Sequence, residues 1–321
     1  MTFNSFPYSR PDLEALQTEL ASLRSSLETA PAYDAFLQTM HQYDDLKSHV
    51  LTMTELAAIR HTLNTEDAFY RQENAWFDET MPLLEETFQS ITDTILKSPF
   101  APQLKEQLPE TWFLAAEMDR RSFSPAIIGH LQKEAALSTA YQNLIASAQI
   151  PFQDRVWTLA ELEQPMNHQD PAVRKEAALA YWGWFQENEP QLQDLLQQLV
   201  QVRTEMARAL GFENYIDLGY LRMHRFDYDR QDVAVWRQQV LEEIVPLCQD
   251  LYEAQKNRLG VDTLPVWQEK AEFADGNPAP CGTTEQMTAR ARGLYGARSE
   301  ETGKFFREMC QRRLMDLDAR Q

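Results

Sequence analysis

The sequence predicts an all-α (mainly α) protein, a multi-helix array with one short β-hairpin near residues 150–159. Three observations carry this reading. Apolar residues recur at intervals of three and four through most of the chain, the spacing of one helix face. Glycine is scarce at 10 of 321 residues, which disfavours barrels, propellers and glycine-rich phosphate loops. The apolar stripes are wide rather than strict heptads, so a globular array is predicted and not a long coiled coil.

In chain order, Leu13, Leu16, Leu20, Leu23 and Leu27 form one stripe on a first helix, with Pro11 and Asp12 at its start. A second helix is predicted from about Ala32 to Leu63. A third begins after Asn64-Thr65, carries Phe69, Trp76, Phe77, Leu84, Phe88, Ile91 and Ile95, and stops at Ser98-Pro99. Ser124-Pro125 opens a short helix, and Ser138 is predicted to cap the next. Ile150, Phe152, Val156, Thr158 and Leu159 flank Gln153-Asp154-Arg155 and read as a hairpin. Helices resume at Asp170-Pro171 and at Pro190, and Gly211 suits a left-handed C-terminal cap. Asp229 starts a long helix to Gly260, with Pro246 as a predicted kink. Residues 261–283 read as a loop around Gly276-Asn277-Pro278-Ala279-Pro280, and two helices, about 284–296 and 299–316, follow.

Acidic residues number 49 against 30 Lys and Arg, a net charge of −19. Such a chain repels phosphate backbones and anionic lipid, so neither nucleic acid nor a membrane surface is predicted as a partner. Residues 286–321 hold eight basic and five acidic residues, a tail of +3 on a body of −22. No apolar run approaches the roughly 18 residues of a membrane span. Cys248, Cys281 and Cys310 are widely spaced and odd in number, which suits reduced thiols. The first residues show neither a basic n-region nor an apolar h-region, so a cytoplasmic location is the expectation.

Nucleotide-loop and nucleophile-elbow motifs are lacking, and none of the six histidines begins His-Glu-x-x-His. His130 and Glu134 share a helix face but read as an ordinary surface i,i+4 pair rather than a metal site. Arg60-His61 reads as a polar contact inside the array, and Glu117, Asp119, Arg120 and Arg121 as a solvated face. The most suggestive segment runs from Tyr215 to Tyr228. Tyr215, Tyr220, Arg222, Met223, Arg225 and Tyr228 suit a groove that binds peptide. The same residues also suit a helix junction pinned by Tyr hydroxyls and Arg pairs, and of the two the junction is favoured.

Several stretches, in order, carry a resemblance. They are Phe6-Pro7-Tyr8-Ser9-Arg10-Pro11-Asp12; Thr52-Met53-Thr54-Glu55-Leu56-Ala57-Ala58-Ile59-Arg60-His61-Thr62; and Ala146-Ser147-Ala148-Gln149-Ile150-Pro151-Phe152. Leu210-Gly211-Phe212-Glu213-Asn214-Tyr215, Gly219 through Tyr228, and Gly276 through Pro280 complete the set. Together they resemble the oligoendopeptidase F-like branch of the thimet oligopeptidase family of zinc peptidases. The resemblance covers essentially the whole chain.

It implies one lobe of a channelled zincin-type oligopeptidase, with 1–110 as an N-terminal helical subdomain and 111–321 as helical channel wall. It implies oligopeptide substrates and zinc in the parent family, held by a His-Glu-x-x-His helix whose Glu acts as general base. That helix follows the segment matched by Leu314-Met315-Asp316-Leu317-Asp318, so no catalytic or metal residue carries over, and no zinc is expected on this chain. The resemblance thus implies the N-terminal part of a zinc metalloendopeptidase, inactive alone, whose partner is a C-terminal catalytic lobe. The alternatives are a stand-alone helical peptide-binding or scaffold protein, or one half of a split peptidase. Exposed apolar surface is expected from Gly282 onward, with self-association or a mobile C-terminal end. Asp154-Arg155 replaces the Asp-Gly usual in the family's hairpin turn, and Cys281 replaces a common Lys.

Overall fold

The structure, a computed structural model, describes residues 2–279 and 281–317. Pro280, Asp318 and Arg320, which figure in the loop, tail motif and basic tail above, lie outside the described residues. The chain divides into two units, each assembled from separate stretches.

One unit comprises Ser9–Ala146 and Glu187–Leu247. Its α1 (Leu13–Glu28) is capped by Asp12, whose side chain accepts from the Ala15 N–H. α2 (Tyr33–Leu63) and α3 (Ala68–Lys97) pack on it. Leu16, Leu20 and Leu27 of the predicted stripe are buried with Phe36, Met40, Tyr43, Val50, Leu84, Phe88, Ile91 and Ile95. Leu104 joins them from α4 (Ala101–Gln107). Full burial of such side chains stabilises by about 1.5–3 kcal/mol each. Tyr43 meets the Phe88 ring edge-on, and its hydroxyl donates to the Phe88 carbonyl (3.4 Å).

α5 (Glu110–Ser122) follows, and a 3-10 turn capped by Ser124 leads into α6 (Ile128–Ala146). Ser138 does not start a helix as predicted. It lies within α6, and its hydroxyl donates to the Glu134 carbonyl (2.9 Å), a bond that replaces capping when serine sits mid-helix.

The other unit comprises Met1–Tyr8, Ser147–Gln186 and Cys248–Gln321. Strands β1 (Ile150–Phe152) and β2 (Arg155–Trp157) pair antiparallel, with Phe152 opposite Arg155. The turn residues are therefore Gln153 and Asp154, with Gln153 at positive φ; Arg155 and Val156 belong to β2. Thr158 leaves the strand to cap α7 (Leu159–Leu162) through a reciprocal bond with Glu161. α8 (Pro171–Glu187) starts at the predicted Asp170-Pro171.

α9 (Glu189–Ala209) returns to the first unit, and Gly211 adopts φ +85° just past its end. α10 (Tyr215–Arg222), capped by Asn214, pairs with it; no periodicity announced so short a helix. Ile127, Met206, Ala207 and Leu218 form the core beneath α6, α9 and α10.

α11 (Arg230–Gln239) is capped by Asp229 and runs through a π-helical segment, Val240–Ile244, into α12 (Val245–Leu259). The predicted irregularity sits before Pro246 rather than at it. Pro246 has no N–H for the next α-helical bond, and Val245 bonds the Val240 carbonyl, one residue further back than an α-helix uses. Trp236, Leu241, Ile244, Leu247 and Leu251 along this helix are exposed.

In the second unit, the loop after Gly260 is pinned by side chains. Gln255 donates to the Glu269 and Ala271 carbonyls, while Asn277 donates to the Lys270 carbonyl and accepts from the Glu272 N–H. α13 (Thr284–Arg298) and α14 (Glu300–Arg312) pack closely, Tyr295 stacking on Phe306. α14 ends at Arg312 rather than near 316, because Arg313 turns left-handed (φ 52°) and closes it. Leu294, Phe305, Leu314 and Leu317 are exposed, as expected of this end.

Candidate binding cleft

Within the first unit, α2, α3, α6, α9 and α10 line an open cleft of about 550 Å³. Phe77, Met81 and Pro82 of α3, Ala58 of α2, and Leu131 and Ala135 of α6 make its apolar wall. Asn74, Asp78, Glu85, Glu134, Ser138, Arg203 and Arg222 supply the polar groups. Pro82 sits inside α3, so the Asp78 carbonyl loses its helical partner. One turn of this opened helix is held from outside, where Gln132 of α6 donates to the Glu79 carbonyl (2.7 Å).

Glu134 is the centre of the charged floor. It is 7% exposed. Arg222 grips it with both ends of its fork, Nη1 to Oε1 (3.2 Å) and Nη2 to Oε2 (2.7 Å). Arg203 donates from Nε to Oε1 (2.6 Å). Arg222 Nη1 also donates to the Tyr215 hydroxyl (2.6 Å), and both guanidinium groups lie by the Tyr215 ring. Burial alone would push the Glu134 carboxyl up, but the hydrogen bonds and charges of Arg222 and Arg203 outweigh it and hold the carboxyl below its usual range. Burial likewise favours loss of the Arg222 proton, and Glu134 reverses the sign. The surface-pair reading of His130 and Glu134 is therefore corrected: Glu134 is buried and turned to two arginines, while His130 Nε2 lies 3.9 Å from Glu205.

Asp78 forms the second polar node. Its Oδ2 accepts from the Thr139 hydroxyl (2.8 Å) and from Asn74 (3.2 Å). Burial pushes its carboxyl up, and the Thr139 bond opposes that only in part. Nearby, His61 is buried with Nε2 3.1 Å from Asn143 Oδ1, a polar contact inside the array as read from sequence. Glu117 and Arg120 pair on an exposed face (2.8 Å).

Of the six groove candidates, Tyr215 and Arg222 meet at the Glu134 node. Tyr220 and Tyr228 pack ring to edge at 6.2 Å, with Arg225 over the Tyr228 ring. Met223 is exposed beside them and joins neither group. His224 stacks on Phe226 and reaches Asp119 (2.6 Å). Arg203, Asp78, Asn74 and Thr139 escaped sequence reading. The available signal was position: Glu134 falls on the apolar line of Leu131 and Leu137, and Arg203 on that of Leu199 and Met206.

These donors do not fit zinc. Both Glu134 oxygens are taken by arginine, and among the described residues no three His, Cys, Asp or Glu side chains are placed to share a metal. Among the described residues no helix is long and apolar enough to cross a membrane.

Comparison with known proteins places this architecture. Residues 3–123 match the peptidase M3 N-terminal domain. A crystal structure assigned as oligoendopeptidase F from Bacillus anthracis str. Ames superposes with a TM-score of 0.97 at 36% identity, covering 100% of this chain and 59% of that one. A second structure assigned as oligoendopeptidase F gives 0.98 at 38% identity, covering 100% and 57%. PZ peptidase A, solved with an inhibitor, gives 0.97 at 36% identity, covering 99% and 57%. A comparison with curated proteins gives no match. This chain thus spans somewhat under three fifths of the solved chains it resembles. It carries a peptidase M3 N-terminal domain, and along its whole length it matches the N-terminal portion of oligoendopeptidase F in fold and identity.

Proposed function

We propose that this chain is the N-terminal part of a cytoplasmic zinc oligoendopeptidase that hydrolyses internal bonds of short peptides. The zinc and the general base belong to the remaining two fifths of such a protein, and this part alone neither holds zinc nor cleaves peptides. The observation that carries the reading is the whole-length likeness to oligoendopeptidase F at 36–38% identity, with only 57–59% of those chains covered. The cleft agrees with it, since both oxygens of the buried Glu134 are already engaged by arginine.

The test is metal analysis after dialysis and a fluorogenic oligopeptide assay, on the chain alone and co-expressed with a C-terminal fragment carrying His-Glu-x-x-His. The reading requires no stoichiometric zinc and no turnover alone, and zinc-dependent turnover with the fragment. Chelator-sensitive hydrolysis by the chain alone would overturn it. Failure of the fragment to bind or to restore activity would favour a stand-alone helical peptide-binding protein.

A further inference from the structure

Two guanidinium groups share one carboxylate at the cleft floor. Arg222 already matches Glu134 with a two-pronged pair, so the charge of Arg203 is left over. Only its Nε is engaged on Glu134; among the described residues its two Nη groups have no protein acceptor. Its side chain is 40% exposed and lines the cleft. The Glu134 bond and the Tyr215 ring, 5.5 Å from the guanidinium carbon, hold the fork in place before any ligand arrives. A fixed planar fork with two free donors matches the two oxygens of a carboxylate. The other acids of the lining are held on neighbours rather than on the Arg203 fork: Asp78 accepts from Thr139 and Asn74. Glu85 accepts from Gln89. Beside the arginine stands the apolar wall of Phe77, Met81, Pro82 and Leu131. The volume falls within the roughly 300–1,000 Å³ of small-ligand sites.

We propose that this cleft binds a small carboxylate with an apolar body, Arg203 taking the carboxylate and the α3–α6 wall taking the body. The chemistry fits the free C-terminal residue of a peptide or a short aliphatic acid. The inference does not rest on the peptidase reading: a chain with no hydrolytic partner would show the same binding.

Calorimetric titration of the intact chain with N-acetyl-leucine, N-acetyl-leucinamide, octanoate and inorganic phosphate tests it. N-acetyl-leucine should bind about tenfold or more tightly than its amide, the scale of one charge-assisted pair. Arg203→Gln should abolish that difference while the melting curve still shows a folded chain. Ala135→Trp, which fills the cleft and leaves the charged groups in place, should weaken the acid as well. Octanoate binding more weakly than N-acetyl-leucine assigns the site to a peptide end, and equal or tighter binding assigns it to an aliphatic acid. Equal binding of acid and amide, no binding of either, or phosphate competing as strongly as N-acetyl-leucine would overturn the proposal. The acid–amide comparison needs only the unmodified protein, so misfolding of a variant cannot shelter it.

Discussion

Glu134 on α6 and Arg222 on α10, 88 residues apart in sequence, form a two-pronged ion pair beneath the cleft. The pair ties the α6 helix to the chain beyond α9, and Arg203 adds a third member. Breaking such a pair leaves a buried charge, which costs more than the pair itself contributes. Arg222→Met should therefore lower stability by about 3 kcal/mol, the low end for a buried pair because Arg203 remains. Glu134→Leu combined with Arg222→Met should recover a substantial part of that loss. Urea denaturation of the two variants checks this; a double variant less stable than Arg222→Met would contradict it.

The same node gives a pH dependence whose sign is set. Glu134 is held below its ordinary value in the folded chain, so its contribution is present above the unfolded carboxylate value, about 4.3, and is lost as pH falls through the folded one. Glu134→Gln should flatten the loss of stability in that acid window. Asp78 runs the other way. Burial raises its carboxyl, and Thr139, His61 and Glu79 modulate it, so the folded state holds an extra proton just above the ordinary range and stability falls as pH rises there. Asp78→Asn should remove that fall. Chemical denaturation series at stepped pH read both effects, and identical profiles for wild type and variants would refute them.

Leu20 is fully buried in the α1–α2–α3 core, whereas Glu19 beside it is exposed. Leu20→Ala should cost about 2–5 kcal/mol. Glu19→Ala should stay within about 0.5 kcal/mol. Equal small effects would mean that α1 is not docked.

Much of this was legible in sequence because the leucine spacing of α1, the proline and serine punctuation around α3 and α8, and the Asp229 cap are local signals. What escaped was non-local. Glu134 looks like a surface glutamate until Arg203 and Arg222 arrive from α9 and α10. Ser138 looks like a cap until its hydroxyl finds a carbonyl within its own helix. Pro246 marks a disturbance, but that it becomes a π segment depends on the bonds of the residues before it. Arg313 closes α14 in a left-handed conformation that its residue type does not announce. The candidate cleft was legible only through Arg222 and Tyr215.

α13 and α14 approach each other at Gly303, where a Cβ would stand 2.8 Å from the Gly296 Cα. Gly303→Ala should cost about 1–3 kcal/mol by forcing the helices apart. Gly293→Ala, with nothing within 4 Å of its Cβ, should instead stabilise by about 0.5–1 kcal/mol. Hydrogen exchange of the α13–α14 amides reads both, and equal protection in the two variants would show that the close approach is not formed.

Whether this chain works as part of a zinc oligoendopeptidase, as proposed, is decided by native mass spectrometry of the polypeptide purified from its own cells. The 37.3 kDa of this chain divided by 0.58, the share it covers of its solved relatives, gives roughly 64 kDa. The expected result is a species near that mass, as one chain or two associated chains, carrying one zinc ion and cleaving a fluorogenic oligopeptide. A lone 37.3 kDa species without zinc, without a partner and without hydrolysis would contradict it.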